Sequence, residues 1–241
     1  MNQRLHQLDA DNVNFPALTF SLSEPNGLLA VGGDLSPARL IAAYQQGIFP
    51  WYGDNDPIMW WSPDPRAIIA IDDLRINRSL RKAIKKNPFE ITINHDFSAV
   101  TQWCADAPFR CDDTWILPEM ERAYLALHEQ GFAHSIEIWR RSECGNRTLV
   151  GGLYGVAING YFSGESMFYK DSNASKFALV ALCQLLNTAN IDFVDCQILN
   201  PFLQEMGATE VPRSTFIDLL NEAKETVLPA NFWQTRNLTL K

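Results

Sequence analysis

Residues 148–168 read Thr148-Leu-Val-Gly-Gly-Leu-Tyr-Gly-Val-Ala-Ile158, Asn159-Gly160, then Tyr161-Phe-Ser-Gly-Glu-Ser-Met-Phe168. Two apolar runs flank an Asn-Gly pair, the dipeptide that best tolerates the positive φ angles of a two-residue hairpin turn. Ser135–Arg140 is a third strand-like run, separated from them by the polar turn Ser142–Arg147, so 135–168 predicts a three-strand meander. Asn173 (or Ser172) then caps a predicted helix from Ala174 to about Leu186, and Ile191–Ile198 reads as a final apolar strand.

Upstream of the meander, Ala67–Ile71 and Phe89–Asn94 read as strands, and Phe97–Ala105 and Pro118–Gln130 as helices. Pro212/Ser214–Thr226 is a last helix. Near the start, Ser36-Pro37 opens a helix with Ser36 as N-cap and Pro37 at the first position, and Gly47 is expected at C′. Phe49, Trp51, Tyr52, Trp60 and Trp61 follow, and Ser62-Pro63-Asp64-Pro65 breaks regular structure. The expected organisation is α+β, with a small N-terminal domain (1–64) and a larger domain (65–241).

At 241 residues and net charge −8, the chain can bury a real core, and its overall charge argues against a surface that is basic throughout. The N-terminus has no apolar run of the signal-peptide kind, and the longest apolar run, Phe177 to Cys183, is far short of a membrane span. Five scattered Cys with no Cys-x-x-Cys, and four His with no His-x-x-x-His, predict neither a disulfide framework nor a metal site. A cytoplasmic protein with reduced thiols, free of the membrane, is expected.

Four features carry candidate chemistry. Gly32-Gly33-Asp34 precedes a helix but lacks the Lys-Ser/Thr of a phosphate loop, and reads as a tight turn. Residues 75–86 hold six cations and no anion, leaving the other 229 residues at −14. Arg78, Arg81 and Lys85 fall on one helical face, with Leu80 and Ile84 inward: a phosphate-binding stripe or a solvated face. Asp195-Cys196-Gln197 lies in the last apolar strand, where ideal alternation puts Asp195 and Gln197 on one face. A carboxylate there needs a partner, structural or functional. Glu165 is a second carboxylate on an apolar strand, and strand pairing could bring it to Asp195 or Gln197, a cluster suited to handling an amine; an outward edge position is the other reading.

Motifs along nearly the whole chain resemble the bacterial leucyl/phenylalanyl-tRNA–protein transferase family. They include Gly47-Ile-Phe-Pro-Trp51, Trp60-Trp-Ser-Pro-Asp-Pro-Arg66, Thr114-Trp-Ile116, His134-Ser-Ile-Glu137, Gly151-Gly-Leu-Tyr-Gly-Val156, Gly164-Glu-Ser-Met-Phe168, Asn173-Ala-Ser-Lys176, Asp195-Cys-Gln197 and Asn231-Phe-Trp233. The resemblance implies a C-terminal domain like the GCN5-related N-acetyltransferases. It implies transfer of Leu or Phe, less readily Met, from aminoacyl-tRNA to the α-amine of proteins or peptides with N-terminal Arg or Lys. That reaction feeds N-end rule degradation and, as ester aminolysis, requires no metal or cofactor.

By the same resemblance, Asp195 meets the attacking amine as acceptor or base, Gln197 positions the ester or polarises its carbonyl, and Glu165 orients Gln197. Alternatively the substrate relays the proton and Asp195 only positions the amine. The side-chain pocket carries over to Leu153, Phe162, Met167, Leu182 and Val194; Leu153 stands where the family pattern has Met. Phe162 and Met167 fall on opposite faces of an ideal strand, so a bend or a bulge, at Gly164, is needed to reconcile them. Trp51 and Trp115 would stack on the donor's terminal adenosine, or serve as core aromatics. Arg78, Arg81, Lys82 and Lys85 would grip the tRNA backbone.

Two rival readings remain. A CoA-dependent N-acyltransferase needs a Gly-rich turn at a helix N-terminus, and Ser166–Lys176 has no Gly. A non-catalytic receptor for basic N-termini would not need the cationic stripe.

Overall fold

A computed structural model describes residues 5–9, 11–86, 88–106 and 116–240. In chain order it places β1 at His6–Leu8, β2 at Leu28–Gly32, α1 at Pro37–Tyr44, β3 at Phe49–Pro50, β4 at Met59–Trp61 and β5 at Arg66–Ala70. Next come α2 at Arg78–Lys86, β6 at Glu90–Ile93, α3 at Phe97–Ala105, α4 at Pro118–Glu129, β7 at Ala133–Arg141, β8 at Arg147–Ile158 and β9 at Tyr161–Tyr169. The chain ends with α5 at Ala174–Asn187, β10 at Phe193–Gln197, α6 at Pro201–Glu205, β11 at Thr209–Val211, α7 at Arg213–Glu225 and β12 at Arg236–Leu238.

Strands β1-β2-β4-β3 form a four-stranded sheet, and β11-β5-β10-β9-β8-β7-β6-β12 an eight-stranded one. The first sheet closes at Trp61 and the second begins at Arg66. The architecture is α+β, a small N-terminal layer on a larger sheet. Meander, helix and strand follow in the order that the acetyltransferase-like resemblance implies: β7-β8-β9 is antiparallel, α5 crosses over, and β10 returns parallel to β9. A parallel return needs such a crossover, which is why a helix and not a turn separates these two strands.

Each face of the large sheet has its own core. One, with Tyr154, Tyr161 and Phe168, runs on through Tyr124 and Phe216 to Tyr44, Trp60 and Leu29 of the N-terminal part. The other, with Leu153, Phe162 and Val194, is covered by α5, which buries Phe177, Leu179, Leu182 and Leu186.

Helix α1 is capped as expected at both ends: by the Ser36 side chain, and by Gly47 (φ 72°), whose N–H bonds the Tyr44 carbonyl (3.2 Å) while the Ile48 N–H bonds the Ala43 carbonyl (3.0 Å), the pattern of a glycine at C′. One terminus differs from expectation. Asn173 precedes α5 in a left-handed conformation (φ 68°) and makes no side-chain cap bond. Neither the N-terminal sheet nor the short strands β11 and β12 were predicted.

Candidate active site

The geometry of the site is set by two interruptions of strand register. In β9, Gly164 pairs with Gly155 and Ser166 with Tyr154, so Glu165 has no partner on β8 and bulges from the ladder. Gly155 opposite it has no room for a Cβ, which would meet the Ser163 carbonyl at 2.2 Å. The extra residue reverses the alternation: Phe162 and Met167 join one core face, Tyr161 and Phe168 the other. In β10, Asp195 and Gln197 pair with the adjacent residues Ile68 and Ala67, so Cys196 is the extra residue; Gln197 takes a left-handed φ of 55°. Bulges re-aim side chains, and here they direct Glu165 and Gln197 into one cavity of about 810 Å³.

Parallel pairing sets Asp195 beside Ser163 and gathers the polar groups. The Gln197 amide nitrogen donates to Ser163 Oγ (2.7 Å) and Glu165 Oε1 (3.3 Å). Ser163 Oγ lies 3.1 Å from Glu165 Oε1 and 3.4 Å from Asp195 Oδ2. Tyr124 in α4 donates to Glu165 Oε2 (2.8 Å) and its hydroxyl meets that of Tyr44 at 2.8 Å. Burial pushes the Glu165 carboxyl up to about 7, against the lowering effect of the hydroxyls around it. The Tyr44 and Tyr124 phenols are driven well above 10 by burial and then by the Glu165 charge.

Asp195 belongs to this network but does not face the cavity. It is fully buried, and Arg66 grips it with two 2.8 Å bonds, Nε to Oδ1 and Nη2 to Oδ2. The Tyr161 hydroxyl (2.5 Å to Oδ2) and the Gln197 backbone N–H (3.0 Å to Oδ1) join the Ser163 hydroxyl around it. Direct contact between Asp195 and an attacking amine is therefore not what the geometry offers. The Gln197 amide nitrogen is turned toward the neighbouring acceptors Ser163 Oγ and Glu165 Oε1, and its oxygen, with no hydrogen-bond partner among the described residues, is the polar end we assign to a substrate. That differs from the expected donation to an ester carbonyl.

The apolar floor of the cavity includes Leu153, Met167, Leu182 and Val194, together with Leu179, which the sequence reading did not single out. Phe162 is in the same core but behind the floor, its ring 5.6 Å from that of Trp233. Trp51 stands at the mouth, 42% exposed, with its ring 5.6 Å from Trp61. Trp115 lies outside the described residues. Arg78, Arg81, Lys82 and Lys85 are exposed along α2, whose Leu80 is buried. Among the described residues, no group of three or more His, Cys, Asp or Glu could hold a metal, and no helix is long and apolar enough to cross a membrane.

Arg66, Ser163, Tyr124 and Tyr161 were not predicted as site residues. The available signal was complementary: Arg66 opens an apolar strand and needs an anion just as Asp195 needs a cation.

Comparison with known proteins agrees along the full length. The family model described as leucyl/phenylalanyl-tRNA protein transferase matches residues 68–221, and the model of that family's N-terminal domain matches 33–64. The chain is 67% identical over 240 residues, covering 100% of both chains, to the leucyl/phenylalanyl-tRNA–protein transferase of Colwellia psychrerythraea. It is 48% identical to those of Tolumonas auensis (98% of each chain) and Enterobacter sp. (98% of this chain, 97% of that one).

Proposed function

The chain belongs to the leucyl/phenylalanyl-tRNA–protein transferase family, and from that premise we propose how its residues carry out the reaction. The enzyme transfers an aminoacyl group from aminoacyl-tRNA to a protein acceptor, in the N-end rule pathway. We take Leu, Phe and, less readily, Met as the groups moved, N-terminal Arg or Lys as the acceptor, and the cytoplasm as the place. We likewise take 1–64 and 65–241 as its domains.

The observation that carries the mechanism is the convergence of Glu165 and Gln197 on a cavity with an apolar floor. The donor's Leu or Phe side chain occupies the slot of Leu153, Met167, Leu182 and Val194, with Phe162 bracing it from behind. A slot of this kind separates side chains differing by one methylene by only ~1–3 kcal/mol, which fits a donor range of several residues. Trp51 stacks on the terminal adenosine, as Trp115 would, and the exposed cations of α2 hold the tRNA backbone without reading bases.

A protein α-amine has a pKa of about 7.7–8.0, so part of it is neutral near pH 7. Its N–H donates to the Gln197 oxygen, which aligns the lone pair on the ester carbonyl carbon. As the C–N bond forms, the nitrogen gains positive charge and must lose a proton. Glu165, poised near 7, accepts it and returns it to the ribose oxygen when the C–O bond breaks. Asp195 stays outside this path and holds the frame.

The activity test supplies Leu-tRNA and an Arg-initiated peptide. Transfer that disappears when the donor is treated with RNase supports the reading; equal transfer from an acyl-CoA overturns it.

A further inference from the structure

We propose that Arg66 is a positioning residue of the transfer reaction: it binds the Asp195 corner to the Phe49–Trp51 wall of the cavity, and so fixes where Gln197 and Glu165 stand relative to the bound ester. The proposal rests on the reading above that Gln197 and Glu165 meet the reacting groups.

Each nitrogen of the Arg66 side chain makes a hydrogen bond. Nε and Nη2 hold the two oxygens of Asp195, and Nη1 donates to the Gly47 carbonyl at 3.1 Å. Its flat faces lie against Phe49 (4.9 Å to the ring centre) and Phe216 (4.5 Å). Gly47 and Phe49 belong to the segment after α1 that continues into Pro50 and Trp51, one wall of the cavity. Asp195 lies behind the other wall, where its Oδ1 takes the N–H that holds Gln197 in its left-handed turn and its Oδ2 takes Tyr161. Arg66 thus stands one hydrogen bond from Asp195, which stands one hydrogen bond from Gln197.

The residue type fits a positioning role better than a stabilising one. Breaking up a buried ion pair is costly, but replacing the whole pair by apolar side chains is often neutral, so stability alone gives little reason to keep it. A guanidinium supplies something else, a planar fork that fixes a carboxylate in orientation as well as place. It also balances the Asp195 charge. An uncompensated Asp195 carboxylate would make the neighbouring Glu165 hold its proton to higher pH, since like charges disfavour ionisation.

The test uses the full chain, Leu-tRNA and an Arg-initiated peptide, with transfer followed from pH 5.5 to 8.5 for Arg66→Lys, Arg66→Gln and Gln197→Ala. Near-UV circular dichroism checks that each variant is folded. Arg66→Lys keeps the charge and loses the fork; kcat should fall about 100-fold, the scale of a misplacement of about 1 Å. KM for both substrates should stay within about threefold, and the pH midpoint of kcat should hold. Arg66→Gln should lose the activity and move that midpoint up by about one unit. If Arg66→Gln does not fold, the Lys variant decides alone. A folded Arg66→Lys with unchanged kcat overturns the proposal, as does an Arg66→Gln whose midpoint matches the wild type. Gln197→Ala separates the two levels: full kcat there removes the underlying site reading, whereas a large loss there together with a normal Arg66→Lys removes Arg66 alone.

Discussion

Glu137 on β7 and Glu165 on β9 are both carboxylates pushed above the usual range by burial, yet they are built for opposite ends. Glu137 is sealed. Thr92 Oγ1 and Ser135 Oγ donate to it at 2.5 Å each, and the backbone N–H groups of His95 and Asp96 at 3.1 and 3.4 Å. All four donors come from its own sheet or the loop beside it, and they tie the end of β6 to the start of α3. Glu165 is held by side chains alone, Tyr124, Ser163 and Gln197 at 2.8, 3.1 and 3.3 Å with Tyr44 beside them, and one side of it lines the cavity. Raised proton affinity therefore does not by itself mark a reactive group. What separates the two is whether a substrate can reach the carboxylate.

The sharpest way to break this contrast is to make the same change at both positions. Glu165→Gln should lower kcat by about 10²–10⁴-fold, the usual worth of a positioned acid–base group, and leave the fold intact. Glu137→Gln should leave kcat unchanged and cost about 2 kcal/mol of stability, because an amide offers only one acceptor oxygen to donors that now face two. Steady-state transfer rates and urea melts on both variants read the two effects. A Glu137→Gln protein that is stable but inactive, or a fully active Glu165→Gln, would erase the distinction.

A second test sharpens it through pH. A carboxyl whose folded-state pKa is raised binds its proton more tightly in the folded chain than in the unfolded one. Its contribution to stability is complete below the unfolded value of 4.5 and is lost as pH rises through about 7. Relative to Glu165→Gln, the wild type should therefore lose up to about 3 kcal/mol of stability between those limits. Transfer should run the other way. The ionised Glu165 is the competent proton acceptor, so the rate rises through pH 7, and Glu165→Gln should remove about one unit of slope from the acid limb of the log rate profile. A difference in stability that stays flat from pH 4.5 to 7 would show that Glu165 is not held protonated by the fold.

The two carboxylates also show how far the sequence could be read. Both lie in runs whose strand character is plain from composition, and the meander, its Asn159-Gly160 turn, α3 and the α5 crossover follow from local pattern alone. The pocket that the family resemblance implies, set against ideal alternation, also required a break near Gly164 to bring Phe162 and Met167 to one face, and the bulge lies at the next residue. The second bulge, at Cys196, has no local signal: it arises where β10 meets β5, more than a hundred residues earlier in the chain. The same distance hides Arg66 from Asp195. Short edge strands such as β11 and β12 are three residues each, too short to carry a period. Sequence pattern thus reports on which face a residue occupies, and long-range pairing decides what it meets there.

Helix α2 extends the contrast to groups that are open from the start. Arg78, Arg81, Lys82 and Lys85 are exposed, and among the described residues none of them takes part in an ion pair. Reversing two of these charges, Arg78→Glu with Lys85→Glu, should raise KM for aminoacyl-tRNA by about tenfold at low salt and leave kcat alone. The effect should shrink as salt rises, because each lost phosphate contact removes ~0.7–0.9 from the slope of log affinity against log salt. An unchanged KM would make the stripe a solvated face.

The smallest effect tests the floor of the cavity, where the enclosing groups are apolar. Leu153 packs against the slot at its pairing with Met167 across β8 and β9. Leu153→Met conserves volume, and such exchanges usually cost less than 1.5 kcal/mol because the longer, unbranched chain adapts to its neighbours. Stability should hardly move. The ratio of kcat/KM for Leu-tRNA to that for Phe-tRNA should change by no more than about tenfold, since shape differences in an apolar slot are worth only ~1–3 kcal/mol. A larger change would mean that position 153 does more than line the slot, and that the main chain of β8 shifts with it. Both its cross-strand neighbours are fixed at this point, by Ile136 on β7 and Met167 on β9. A shift there would reach Glu165 through the Tyr154–Ser166 pairing beside the bulge, so the pH midpoint of transfer should move along with the specificity.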